Sequence, residues 1–143
     1  MIKYENTQKG FIVIILLVAL LVVFIINYLS ENISSLFIIS MAIILISAIL
    51  IFYKLTITIS NEIIIASLGI GLLKRKIKIK DIDFSTLEKV NFSMLTGIGI
   101  RLTSKGWLWN VKIGDAVYFK TKDNKTFLVG TDDADEIIKL LKH

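Results

Sequence analysis

Lys74, Lys76, Lys78 and Lys80 recur at every second position, with Arg75, Ile77 and Ile79 between them. In an extended chain this spacing puts four ammonium groups on one face and the arginine and isoleucines on the other. Near a bilayer such a row can attract anionic lipid head groups at ~1 kcal/mol per charge, less with distance as salt screens it. The plainer reading is a solvated outer face whose lysines discourage edge-to-edge strand pairing. Trp107 and Trp109 also share a face if their segment is extended, with Leu108 opposite. They form either an aromatic surface for a peptide or lipid or, for at least one of them, part of the core of a domain with few other large side chains. Arg101 can bind an anionic group or form a structural ion pair with an acid such as Asp132. Asp132, Asp133, Asp135 and Glu136 do not have the spacing of a calcium loop, and their charges suit the first turn of a helix.

Other chemistries find little support. The sequence has no Cys, and its single histidine is His143. No GxSxG elbow or P-loop occurs, and Gly97-Ile98-Gly99 is too short for a dinucleotide fingerprint. Carboxylates alone leave acid–base chemistry open, but the expectation is a protein that is not an enzyme and has no cofactor or metal. Nucleic acid is not an expected partner, because the lysines are not interleaved with aromatics and no nucleic-acid-binding motif is present.

The elements that must position these residues divide sharply in composition. Hydrophobic residues make up 55% of the 143-residue chain, and the excess is concentrated before residue 54. Residues 1–10 form a polar leader carrying Lys3, Glu5 and Lys9. It has the charge of a signal-peptide n-region, but the apolar run of residues 11–29 would span about 28 Å as a helix, longer than a signal core, and no small-x-small cleavage site follows. A second run, residues 33–53, would span about 31 Å by the same rise per residue. Residues 11–53 therefore read as a two-helix transmembrane hairpin. Its connecting loop holds Glu31 and no basic residue, whereas lysines flank both outer ends, so both termini are expected in the cytoplasm. Neither run contains an ionisable residue other than tyrosine, which argues against an ion or proton path. Tyr28 and Tyr53 fall near span ends; Ala19, Ser40, Ala42, Ser47 and Ala48 permit close helix approach or are simply small residues facing lipid.

From Lys54 the pattern alternates, giving strands at residues 55–60 and 63–67 around an Asn61-Glu62 turn, then a strand at 72–79 after a glycine-punctuated turn. Residues 85–92 read as a strand and 93–97 as a loop. Strands at 115–121 and 125–129 flank the turn Lys122-Asp123-Asn124. Thr131 or Asp132 then caps a short helix within residues 131–143, with Ala134, Ile137, Ile138 and Leu141 as its apolar stripe.

Four runs carry a resemblance: Gly97-Ile98-Gly99-Ile100-Arg101-Leu102-Thr103, Gly106-Trp107-Leu108-Trp109-Asn110-Val111, Asp115-Ala116-Val117, and Phe127-Leu128-Val129-Gly130-Thr131-Asp132. Together they resemble the C-terminal signature of small bacterial membrane proteins that join a two-span hairpin to a pleckstrin-homology-like domain. Ala134 stands where members often have proline. The resemblance implies a bent β-sheet or partly open barrel over residues 54–143, closed by a C-terminal helix, and no enzymatic activity. It also favours the Arg101–Asp132 pair, since both lie in the signature. The expected function is a non-enzymatic interaction or scaffold protein at the cytoplasmic face of the inner membrane, acting on a protein partner or on copies of itself. The alternatives are immunity against membrane-active peptides such as bacteriocins, which the resemblance allows, and a module that binds anionic lipid.

Overall fold

A computed structural model describes residues 2–30, 33–93 and 96–142. Two apolar helices are followed by a mainly-β unit of two open sheets and a C-terminal helix. Helix α1 (Phe11–Leu29) and helix α2 (Ser35–Phe52) are each long and apolar enough to cross a membrane. α2 starts two residues later than the apolar run because the Ser34 side chain accepts from Phe37 N at 3.4 Å and caps it. The helices meet through Phe24 and Phe37, whose rings lie edge to face with centroids 5.9 Å apart. Ser40 and Ser47 bond to carbonyls one turn back in α2, and Asn27 does the same in α1. These small polar groups are thus satisfied within their own helices.

The first sheet has the order β1-β2-β3-β4 and is antiparallel throughout. Strand β2 (Lys54–Ser60), strand β3 (Ile63–Leu68) and strand β4 (Leu73–Lys78) follow the alternation of the sequence. Strand β1 (Ile2–Lys9) is the segment read as a polar leader, and it pairs with β2. The leader's sequence does not read as a strand because the face it turns inward is polar: Tyr4, Asn6 and Gln8 lie opposite Ile59, Ile57 and Leu55. Gln8 Nε2 donates to Gly130 O at 3.0 Å, and Tyr4 Oη and Asn6 Nδ2 both donate to Asp133. Burial first, and then the Asp133 carboxylate, push the Tyr4 phenol pKa above its ordinary value.

The second sheet has the order β5-β8-β9-β7-β6. It contains strand β5 (Ile82–Phe92), strand β6 (Gly99–Thr103), strand β7 (Gly106–Asn110), strand β8 (Gly114–Thr121) and strand β9 (Thr126–Gly130). The pairing of β7 with β9 is parallel. Leu55, Ile57, Ile64 and Leu68 of the first sheet share one core with Val117, Phe119, Phe127 and Val129 of the second. Phe119 and Phe127 stack there at 4.7 Å. Helix α3 (Ala134–Lys142) contributes Ala134, Ile137 and Leu141 to the same core.

Asp133, rather than Thr131 or Asp132, occupies the position before α3, and its carbonyl accepts the first helical bond from Ile137 N. Thr131 instead accepts from Asp133 N, which turns the chain into the helix. His143 lies outside the described residues, as do Glu31 and Asn32 of the helix connection.

The two units are joined without a linker. Gly10 N donates to Tyr53 O at 2.8 Å, so the β1–β2 ladder runs directly into the helix pair. A Cβ at Gly10 would lie 2.6 Å from Phe52 O, which leaves room there for glycine alone. On the other side of α2, the turn after β3 rests on the helix end: Ile70 N donates to Leu50 O at 3.2 Å. Gly69 adopts φ +55°, and a Cβ there would lie 1.9 Å from Leu50 O.

Gly69→Ala therefore meets both a left-handed backbone and a collision with α2, and should destabilise the protein by more than about 1–2 kcal/mol. Thermal unfolding in mild detergent measures this. A second expectation concerns acid. Hydrogen bonds from Asn91, and then from Lys89, hold the Asp115 carboxyl below its ordinary pKa of 3.8. A carboxyl lowered in the folded state contributes stability above the unfolded pKa and loses it as pH falls through the folded pKa. Asn91→Ala should therefore reduce stability at pH 6 while making its loss below about pH 4 shallower, as read from unfolding midpoints across that range.

Candidate interaction surfaces

Each candidate residue is placed by the sheet that carries it. Lys74, Lys76 and Lys78 lie exposed on the outer face of β4, while Arg75 and Ile77 turn inward. The strand ends at Lys78. Lys80 is exposed in a short 3-10 turn (Ile79–Asp81), so the row contains three lysines followed by one on a different local geometry. The register gives the row a direction. Leu73 lies opposite Leu68, and Leu68 opposite Leu55, so the start of β4 is level with the start of β2 beside the helix pair. At ~3.3 Å per residue, Lys76 stands ~7 Å and Lys78 ~13 Å beyond Lys74, away from the helices. Lys78 and Lys80 border a cleft at the far end with Asn61, Glu62 and Ile63.

A different set of cations lies at the helix end of the sheet. Lys9 lies opposite Lys54 in the β1–β2 ladder. The Lys9 ammonium stands 5.9 Å from the Phe11 ring centroid, and that of Lys54 5.3 Å from the Tyr53 ring. Lys74 folds toward Gly71 in the adjoining turn. The sequence does not single out Lys9 with Lys54, because only the β1–β2 pairing sets them opposite each other, at the same end of the sheet as Lys74.

The two tryptophans do share a strand face, with Leu108 buried on the opposite side. Their environments differ. Trp109 packs against the common core, whereas Trp107 is 49% exposed. Arg75 connects the sheets at this point: its guanidinium lies 5.3 Å from the Trp109 ring, and Nη1 donates to Trp107 O at 3.3 Å. Burial lowers the guanidinium pKa from its ordinary value.

Arg101 is exposed on β6, the outermost strand of its sheet. It does not pair with Asp132. Its Nε donates to Ile98 O at 3.1 Å, and the guanidinium lies over Gly97, where a Cβ would intrude. Asp132 pairs instead with Lys112 at 2.8 Å. The expected pair fails because Arg101 turns back on the 97–98 segment, while Lys112 lies at the β7–β8 turn beside the start of α3.

Asp133 and Asp135 of the C-terminal cluster are also engaged. Asp133 receives Tyr4 and Asn6, and Asp135 pairs with Lys89 at 2.7 Å. Among the described residues no group of three His, Cys, Asp or Glu side chains is placed to hold a metal ion. Beside Trp107, Leu102 is 70% exposed and lies opposite it in the β6–β7 register. With Phe92, Thr96, Ile100 and Arg101 these residues border a shallow groove at β6.

Arg75→Ala removes the contact that ties β4 to β7 and should cost about 1–2 kcal/mol, with Arg75→Lys recovering only part, since a lysine cannot reproduce the planar stack. Chemical denaturation followed by tryptophan fluorescence reports both stability and the Trp109 environment. No protein-family model matches this chain, and no curated protein or solved structure is significantly similar to it.

Proposed function

We propose that this chain is a non-catalytic interaction protein of the bacterial cytoplasmic membrane, in which a two-helix anchor holds a pleckstrin-homology-like domain and the β6 edge receives an extended segment of a partner protein. The single observation that carries the proposal is the state of that edge. Among the described residues β6 is hydrogen-bonded to β7 on one side and ends the sheet on the other, and its exposed Leu102 lies beside the exposed Trp107. An unpaired strand with apolar side chains beside it is a template for strand addition, where main-chain bonds supply affinity and the side chains supply choice.

The membrane part of the proposal rests on α1 and α2. Of their residues only Leu45 is buried, most of the apolar side chains are exposed, and water is a poor solvent for two such helices. Both outer ends of the pair meet at one end, joined by Gly10 and Tyr53, so the leader and the β unit share a side. The lysines flanking that end, against Glu31 in the connection, favour the cytoplasmic side for it. Two sheets over a common core with a C-terminal helix agree in general shape with the pleckstrin-homology-like resemblance.

A foreign strand suits the edge better than a second copy. Two β6 strands paired antiparallel about a central Arg101 would set like charges opposite each other, which is destabilising. The domain's surplus of Lys and Arg adds to this repulsion. An acidic or neutral segment has neither difficulty.

Affinity purification in mild detergent should recover a stoichiometric partner. Leu102→Glu should reduce its recovery severalfold, while Lys78→Glu at the far end leaves it unchanged. A protein that purifies alone, or a partner indifferent to Leu102→Glu, overturns the edge reading. Topology is tested separately on this cysteine-free chain. An impermeant maleimide should label Ser30→Cys from outside intact cells and Asn61→Cys only after permeabilisation.

A further inference from the structure

The turn between β3 and β4 carries apolar side chains that the fold does not use. Ile70 is 58% exposed and Leu72 69%, and Leu73 beside them is also exposed. The hydrogen bond from Ile70 N to Leu50 O places this turn alongside the last turn of α2. Leu50 lies two residues before the helical end at Phe52, about 3 Å inside it at 1.5 Å per residue. The exposed leucine and isoleucine therefore occupy the same level as the end of a helix whose own surface is apolar and exposed.

A second segment reaches the same level on another side of the pair. Ile98, Gly99, Ile100 and Arg101 border a groove with Val13, Leu17, Ala48 and Phe52. Around this end stand Lys9, Lys54, Lys74 and Arg101, from four different strands. Lys9 and Lys54 have their ammonium groups over Phe11 and Tyr53. Apolar loops below a ring of cations, some backed by aromatic rings, match the order of a bilayer surface from acyl chains to phosphate.

We infer that the Gly69–Leu73 turn inserts into the bilayer as an additional anchor, and that Lys9, Lys54, Lys74 and Arg101 form a collar against anionic head groups. The inference rests on the reading of α1 and α2 as membrane-spanning. It assigns lipid contact to a different set of residues from the four-lysine row. Lys78 and Lys80 stand at the far end of the sheet, beyond the ~8 Å Debye length at physiological salt, and lie outside the collar. A domain held at both the helix junction and this turn cannot swing freely on its anchor.

The full-length protein, reconstituted in phosphatidylglycerol–phosphatidylcholine vesicles, allows a direct test because it has no native Cys. An environment-sensitive fluorophore on Leu72→Cys should emit to the blue of the same probe on Asn61→Cys. It should be quenched severalfold more strongly by lipids carrying a shallow acyl-chain nitroxide, and severalfold less by aqueous iodide. Lys9→Gln, Lys54→Gln and Lys74→Gln together should draw the Leu72 probe toward water in anionic vesicles, with a smaller change in pure phosphatidylcholine. Lys78→Gln with Lys80→Gln should leave it in place.

A Leu72 probe quenched by iodide like the Asn61 probe, in protein that resists carbonate extraction, overturns insertion while leaving the membrane anchor standing. Protein that carbonate releases overturns both. An inserted probe indifferent to the three collar substitutions in anionic vesicles overturns the collar.

Discussion

The structure depends on a junction at which a β-ladder continues into a helix pair. Lys9 and Lys54 close the β1–β2 register, and one residue further on Gly10 N bonds Tyr53 O. No flexible linker separates the apolar helices from the sheet at either crossing. Because each chain crossing is held by the other, the distance and orientation between helices and sheet are set by hydrogen bonds. Position along the sheet then becomes position relative to the helices, so residues on one strand face acquire different surroundings.

This constraint accounts for the difference between the lysines as a pattern and the lysines as a surface. Alternation correctly puts Lys74, Lys76 and Lys78 on one face of β4. It carries no information about where along that face a ligand would lie. The register makes Lys74 a neighbour of the helix junction and leaves Lys78 near the opposite tip. Lys9 and Lys54 are far apart in sequence yet directly opposite in space. Screening over ~8 Å turns such differences in position into differences in chemistry.

The inward side of β1 answers another constraint. A segment before the helices can join the domain only if its polar groups find partners when they are covered. Gln8 meets the carbonyl of Gly130, while Tyr4 and Asn6 meet Asp133 at the start of α3. The C-terminal helix is thereby tied to residues that precede the anchor. Arg75 does similar work at another margin, joining β4 to the tryptophan strand. The apolar core holds the sheets face to face, and these polar contacts fix their edges.

Local pattern was sufficient for much of the architecture. The two apolar runs predict both helices, with α1 bounded by residues 11 and 29 as expected; alternation predicts β2, β3 and β4; and the Lys122-Asp123-Asn124 turn lies between β8 and β9, with Asn124 at φ +61°. These features depend on side-chain period and turn chemistry, which neighbouring residues carry. The helix at the C-terminus was legible for the same reason. Tertiary structure alone decided that the leader is a strand, that Asp132 belongs to Lys112 and not Arg101, that Trp109 is packed while Trp107 is exposed, and that Lys9 lies opposite Lys54 at the helix junction. Each depends on contacts between segments distant in sequence, where a polar strand face or a long basic side chain has several acceptable partners and only the folded chain selects among them.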